Sequence, residues 1–126
     1  MLNEEQIWKL VDAKRAEFIA LSDRVFETPE TLYNEFASVA EHVAALKAEG
    51  FTVTEGICGM PTAVMGEAGT EGPVIAILGE FDALPQLSQA PGVAKHSPIE
   101  AGGNGHGCGH NLLGAASLLA ATAVKD

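Results

Sequence analysis

Pro73-Val74-Ile75-Ala76-Ile77-Leu78 runs directly into Gly79-Glu80-Phe81-Asp82-Ala83-Leu84-Pro85. The apolar run is rich in β-branched residues and bounded by proline and glycine, so it predicts a central strand buried on both faces. Two carboxyl groups, Glu80 and Asp82, follow at once and share one alternation phase. Ligand sites of α/β folds gather at the carboxyl ends of strands. The junction therefore predicts both an α/β fold and the location of a site.

Upstream, Asn3 and Gln6 have the spacing of a capping box. Ile7, Leu10, Val11, Phe18, Leu21 and Val25 then recur at helical spacing, which predicts a helix over 4–27 ended by Pro29. A second helix is predicted over 32–49, burying Phe36, Val39, Val43 and Leu46, with Gly50 as its stop. His42 on that helix reads as a surface or edge histidine. Short strands are predicted at 51–55 and 62–65, with a turn or hairpin connection at 66–72. Cys58 lies in a turn, Gly56-Ile57-Cys58-Gly59-Met60-Pro61, and reads as packed rather than reactive.

Downstream, residues 86–109 are rich in proline and glycine and too long for an ordinary connection, which marks a functional loop. It closes on Gly105-His106-Gly107-Cys108-Gly109-His110-Asn111. An uncharged run, Leu112–Val124, follows as a helix starting near Asn111 and buried over most of its circumference. Cys108 thiolate and His110 imidazole suit zinc and related divalent ions. Alternate residues of an extended segment point the same way, and the helix start favours a thiolate. Three ligands within five residues are cramped, so His106 reads equally as a group behind the ligands or in contact with substrate. Asp82 either binds metal or fixes the ring of a metal-bound histidine, and Glu80 is open to the same two roles. The alternative is a glycine-rich loop with Cys108 packed inside. Two protein ligands do not complete a zinc site, so the remaining ligands are expected outside these residues.

The chain has 126 residues, 47% hydrophobic and 19% charged, which fits one globular core rather than two domains. Seventeen acidic against seven basic residues leave a formal charge of -10, and no Lys or Arg falls between Lys47 and Lys95. Such a surface excludes phosphate backbones and anionic membranes as partners, whereas a bound cation suits it. Two cysteines are too few for a disulfide scaffold and read as free thiols. There is no signal pattern, and the last apolar run is too short to span a bilayer. A soluble cytoplasmic protein is expected.

Four stretches carry a resemblance: Thr28-Pro29-Glu30-Thr31-Leu32-Tyr33-Asn34-Glu35, Gly59-Met60-Pro61-Thr62-Ala63, Gly79 through Pro85, and Gly105 through Gly114. They resemble the N-terminal part of the M20 family of metallopeptidases and amidohydrolases. The likeness is to the branch of aminobenzoyl-glutamate hydrolase and the aminoacylase- or hippurate-hydrolase-like enzymes. It implies the opening of a catalytic domain, a mixed sheet with packed helices left incomplete over 1–126. An inserted dimerisation domain and the C-terminal half would lie outside it. It implies Cys108 and His110 as metal ligands, Asp82 as the catalytic supporting residue, and His106 in the same motif. Many relatives carry histidine where Glu80 stands, which leaves the part of Glu80 open.

The resemblance further implies two divalent ions in a complete enzyme, zinc or manganese first and cobalt or nickel next. The reaction implied is amide hydrolysis of N-acyl or N-aroyl amino acids, aminobenzoyl-glutamate-like, or of small peptides, by a metal-bound water and a glutamate general base. That glutamate would lie outside the chain, so the chain alone is expected to be inactive and to form homo-oligomers. Two other readings are a non-catalytic metal-binding or assembly module, and a structural globular fragment without metal.

Overall fold

A computed structural model describes residues 2–126. Helix α1, Glu4–Glu27, begins as its capping box requires: Gln6 N donates to Asn3 Oδ1 and Asn3 N to Gln6 Oε1, both at 2.9 Å. Glu4 and Glu5 in the first turn and Arg24 in the last suit the helix dipole. Its inner stripe narrows toward the C-terminal half, where Phe18, Leu21 and Val25 are buried.

Helix α2 is Phe36–Ala48, later than the 32–49 expected from periodicity. The delay has a local cause. Thr31 forms a parallel bridge with Ala83, and Tyr33 takes a positive φ of 64° in the following turn. The Glu30 carboxyl then reaches forward to cap the helix, accepting from Ala37 N, Ser38 N and Ser38 Oγ at 2.8–2.9 Å. Val39 and Val43 are buried as expected, but Phe36 is exposed. Lys14 of α1 donates to the buried carboxyl of Glu49 at 2.8 Å and ties α1 to the end of α2.

Strands β1, Thr52–Glu55, and β2, Val64–Glu67, form an antiparallel pair in which Thr52 faces Glu67 and Glu55 faces Val64. The hairpin connection is thus 56–63, containing a single 3-10 turn at Ile57–Gly59, and not 66–72. Cys58 sits there with φ 54° and is exposed rather than packed.

Residues 74–78 form no regular strand: Val74, Ile75 and Leu78 are 99%, 64% and 87% exposed. A strand exists through its ladder, and no described segment lies alongside this one to supply hydrogen bonds. Ser117 Oγ anchors it by donating to the Leu78 carbonyl at 2.8 Å. Order returns at 83–84, where Ala83 N donates to Glu30 O and Leu84 exchanges both backbone bonds with Gly105. The loop 86–104 is organised around the Gln89 side chain, which bonds the backbones of Val93, Lys95 and Ser97.

Helix α3, His110–Lys125, packs chiefly against α1. Ala115 and Leu118 join Phe18, Leu21 and Val25 as the core, with Leu46, Phe81 and Leu119 at its margin. The helix, uncharged over 112–124, is buried along one stripe only, Asn111, Gly114, Ala115, Leu118 and Thr122, while Leu112, Leu113 and Val124 are exposed. Gly114 is required by close approach: a Cβ there would lie 2.6 Å from His42 Nε2 and 2.9 Å from the Glu80 carbonyl oxygen. The result is an α/β arrangement of three helices and a two-stranded sheet, with the core between α1 and α3. No helix among the described residues is long and apolar enough to cross a membrane.

Candidate metal centre

The bridges at Ala83 and Leu84 clamp the 79–85 segment between the 29–31 turn and Gly105. Asp82 and Glu80 are thereby held over the first turn of α3. His110, the first residue of α3, follows Gly109, whose φ of 82° swings the chain into the helix. Its ring sits between the two carboxyl groups: Nδ1 is 2.7 Å from Asp82 Oδ1 and Nε2 is 3.0 Å from Glu80 Oε2. The His110 and Asp82 side chains are largely buried, at 18% and 23% exposed, whereas Glu80 opens to solvent at 61%.

This contact has a definite chemical demand. If Nδ1–H donates to Asp82, Nε2 carries a lone pair aimed at a carboxyl oxygen. Two acceptors at that distance repel unless a proton or a cation lies between them. One donor atom from each of Glu80, Asp82 and His110 lies within 4.8 Å of the others, a grouping able to hold a metal ion. The donor set of one imidazole and two carboxyl groups suits a divalent cation.

Cys108 is not drawn into this grouping; its thiol is free and exposed. Alternation of ligands requires an extended backbone over 106–110, but Gly109 N donates to His106 O across a turn. Alternate side chains therefore do not share a direction. His106 is turned toward α1, with Nε2 donating to the Val25 carbonyl at 3.1 Å and the ring stacked on Phe26. Its Nδ1 is buried without a partner, and burial pushes its pKa below the usual histidine value.

His42, read from sequence as a surface or edge histidine, is 4% exposed. Nδ1 lies 2.9 Å from the Ser38 carbonyl, and the ring packs on Phe81 with centroids 4.6 Å apart. Burial lowers its pKa, the Ser38 carbonyl opposing. His42 thus backs the residue between Glu80 and Asp82. No periodicity signal distinguishes it, because its burial comes from α3 and the 79–85 segment crossing over α2.

Glu80 and Asp82 also line a cleft of about 260 Å³ together with Tyr33, Glu35, Met60 and Val64. A separate groove of about 190 Å³ between α1 and α2 contains the Arg24–Glu41 ion pair and none of the candidate ligands.

No family model matches the chain. It is 46% identical, over 96% of its length, to a p-aminobenzoyl-glutamate hydrolase subunit of Escherichia coli. It is 33% identical over 86% to thermostable carboxypeptidase 2 of Saccharolobus solfataricus, and 32% identical over 87% to N-acetyl-L-cysteine deacetylase of Bacillus subtilis. It spans 26%, 29% and 26% of these relatives, about a quarter of the length of the curated relatives it matches. With the Asp82–His110 contact in place and likeness extending over nearly every residue, the chain is similar to one part of these hydrolases and is consistent with an N-terminal fragment of an M20 metallopeptidase or amidohydrolase.

Proposed function

We propose that this chain is the N-terminal segment of the catalytic domain of a metal-dependent amidohydrolase. The substrate class proposed is N-acyl or N-aroyl amino acids, aminobenzoyl-glutamate-like compounds first. The observation that carries the reading is the His110 ring held between Asp82 and Glu80, at 2.7 and 3.0 Å. The 46% identity to a p-aminobenzoyl-glutamate hydrolase subunit supports the substrate class.

In this reading Asp82 accepts a hydrogen bond from the Nδ1–H of His110, fixes the tautomer and leaves Nε2 free to ligate. Glu80 contributes an oxygen on the solvent side. Cys108, whose exposed thiol lies two residues before His110, is proposed as a further ligand. A divalent ion held there supplies Lewis acidity toward the amide carbonyl and a nucleophilic water. The general base and the second ion's ligands are assigned to the part of the protein outside this chain, so the chain by itself is inactive.

The test is metal content by elemental mass spectrometry on the purified chain, with His110→Ala and Cys108→Ala in parallel. About one divalent ion per chain, lost in His110→Ala, is the expected result. Retention in Cys108→Ala would remove the thiol from the ligand set. A complete gene product that hydrolyses N-aroyl glutamates without any divalent metal would sink the reading.

A further inference from the structure

The side chains of residues 104–111 face two ways. Asn104 Nδ2 donates to the Pro29 carbonyl at 3.2 Å, His106 Nε2 to the Val25 carbonyl at 3.1 Å, and Asn111 Nδ2 to Ser22 Oγ at 3.0 Å. All three grip the last two turns of α1 or the residues just after it. His110 is turned the other way, toward Asp82 and Glu80, and Cys108 is exposed.

His106 is the central peg of this grip. Val25 is one of the last four residues of α1, whose carbonyls lack partners further along the helix. A carbonyl oxygen has two lone pairs, and here Thr28 N takes one at 3.2 Å and His106 the other. The carbonyl cannot donate, so the hydrogen of that contact belongs to Nε2, and Nδ1, buried without a partner, is the bare nitrogen of a neutral ring. Neither nitrogen is open to a metal ion or a substrate. The His106 carbonyl in turn accepts from Gly109 N at 3.2 Å and closes the turn 106–109. That turn carries Cys108 and delivers His110 to the start of α3. It has no slack on its other side. A Cβ on Gly105 would lie 1.9 Å from the Leu87 carbonyl oxygen, and one on Gly107 2.5 Å from Leu87 Cδ1.

We propose that His106 is a positioning residue of the metal centre. Held as the Nε2–H tautomer, it uses the C-terminal turn of α1 to fix the first residue of the 106–109 turn, and so sets the aim of Cys108 and His110. It neither ligates nor touches substrate. The inference rests on the metal reading for the ion that those two residues hold. The tautomer and the aim of the turn are properties of the chain without metal.

The experiment compares the native chain with His106→Gln and His106→Leu. Glutamine keeps an N–H donor at similar reach; leucine keeps bulk and loses the donor. Without metal, at about pH 8 where free imidazoles are neutral, long-range proton–nitrogen NMR is expected to show hydrogen on Nε2 of His106 and on Nδ1 of His110. The His110 signature persists in His106→Gln and gives way to mixed tautomers in His106→Leu. Hydrogen on Nδ1 of His106 overturns the proposal, and so does an unchanged His110 signature in folded His106→Leu. With Co2+ as the added probe, the native chain and His106→Gln are expected to bind alike. His106→Leu is expected to bind about 10–100-fold more weakly, with an altered ligand-field spectrum. Equal affinity and an unchanged spectrum in folded His106→Leu overturn the proposal too. If His106→Leu does not fold, the native tautomer and His106→Gln still decide, and a His106→Gln variant that loses the His110 signature overturns it. A native chain that binds no Co2+ counts against the metal reading, while the metal-free tautomers still test whether His106 aims His110.

Discussion

His110 gains its significance from two neighbours that are remote in sequence and opposite in setting. Asp82 is sheltered and fixes one ring nitrogen, while Glu80 is exposed and faces the other. In the proposed metal centre, Asp82→Asn removes the charge that orients the ring and is expected to weaken the binding of added zinc by about 10–100-fold. Competition against a chromophoric chelator measures this, and unchanged affinity would remove Asp82 from the positioning role. The buried histidines give a second prediction. His42 and His106 have folded-state pKa values below the ordinary 6.5, chiefly because burial disfavours the charged ring. Below pH 6.5 the unfolded chain therefore binds more protons than the folded one. Stability should be level above that pH and fall as pH drops from 6.5 toward the depressed values. Urea denaturation across pH 5–8 reads this window, and His42→Leu should flatten part of the slope. A slope identical in His42→Leu and the native chain would show that His42 is not its source.

The start of α2 depends on a side chain five residues before its N-cap. Glu30 satisfies two backbone donors and the Ser38 hydroxyl, so it acts as a remote cap. Glu30→Ala should cost about 1–2 kcal/mol, in line with losing a helix cap. It should also loosen the Thr31–Ala83 bridge, because the lost carboxyl anchors the backbone whose carbonyl at residue 30 accepts from Ala83 N. Urea unfolding followed by circular dichroism gives the cost, and exchange of the Ala83 amide reports the bridge. A loss in stability with Ala83 equally protected would confine the role of Glu30 to the helix. The element that fails to form is as informative. Residues 74–78 have strong strand character, yet a run of apolar β-formers becomes a strand only when neighbours complete its hydrogen bonds.

Across the molecule, one small core between α1 and α3 coexists with exposed Val74, Ile75 and Leu78 on one segment and Leu112 and Leu113 on α3. Such exposed apolar surface favours association, against which the formal charge of -10 acts at low salt. Sedimentation velocity should show concentration-dependent self-association that strengthens with salt. Joint Ile75→Lys and Leu78→Lys substitution should reduce it with the helical signal unchanged; persistence would place the contact elsewhere. The sequence by itself determined α1 with its capping box, the existence of α2 and α3, and two short strands near β1 and β2, and it singled out Asp82 and His110 as candidates. Those features rest on local periodicity, capping chemistry and ligand type, all of which a linear chain displays. Only the tertiary structure decided that Glu80 meets His110, that Cys108 stays outside that contact, that His42 is buried and that His106 is turned toward α1. These depend on how the 79–85 segment lies across α2 and α3, and on a turn at 106–109 that redirects side chains. Burial and partnership are properties of segments brought together, so spacing along one of them does not contain them.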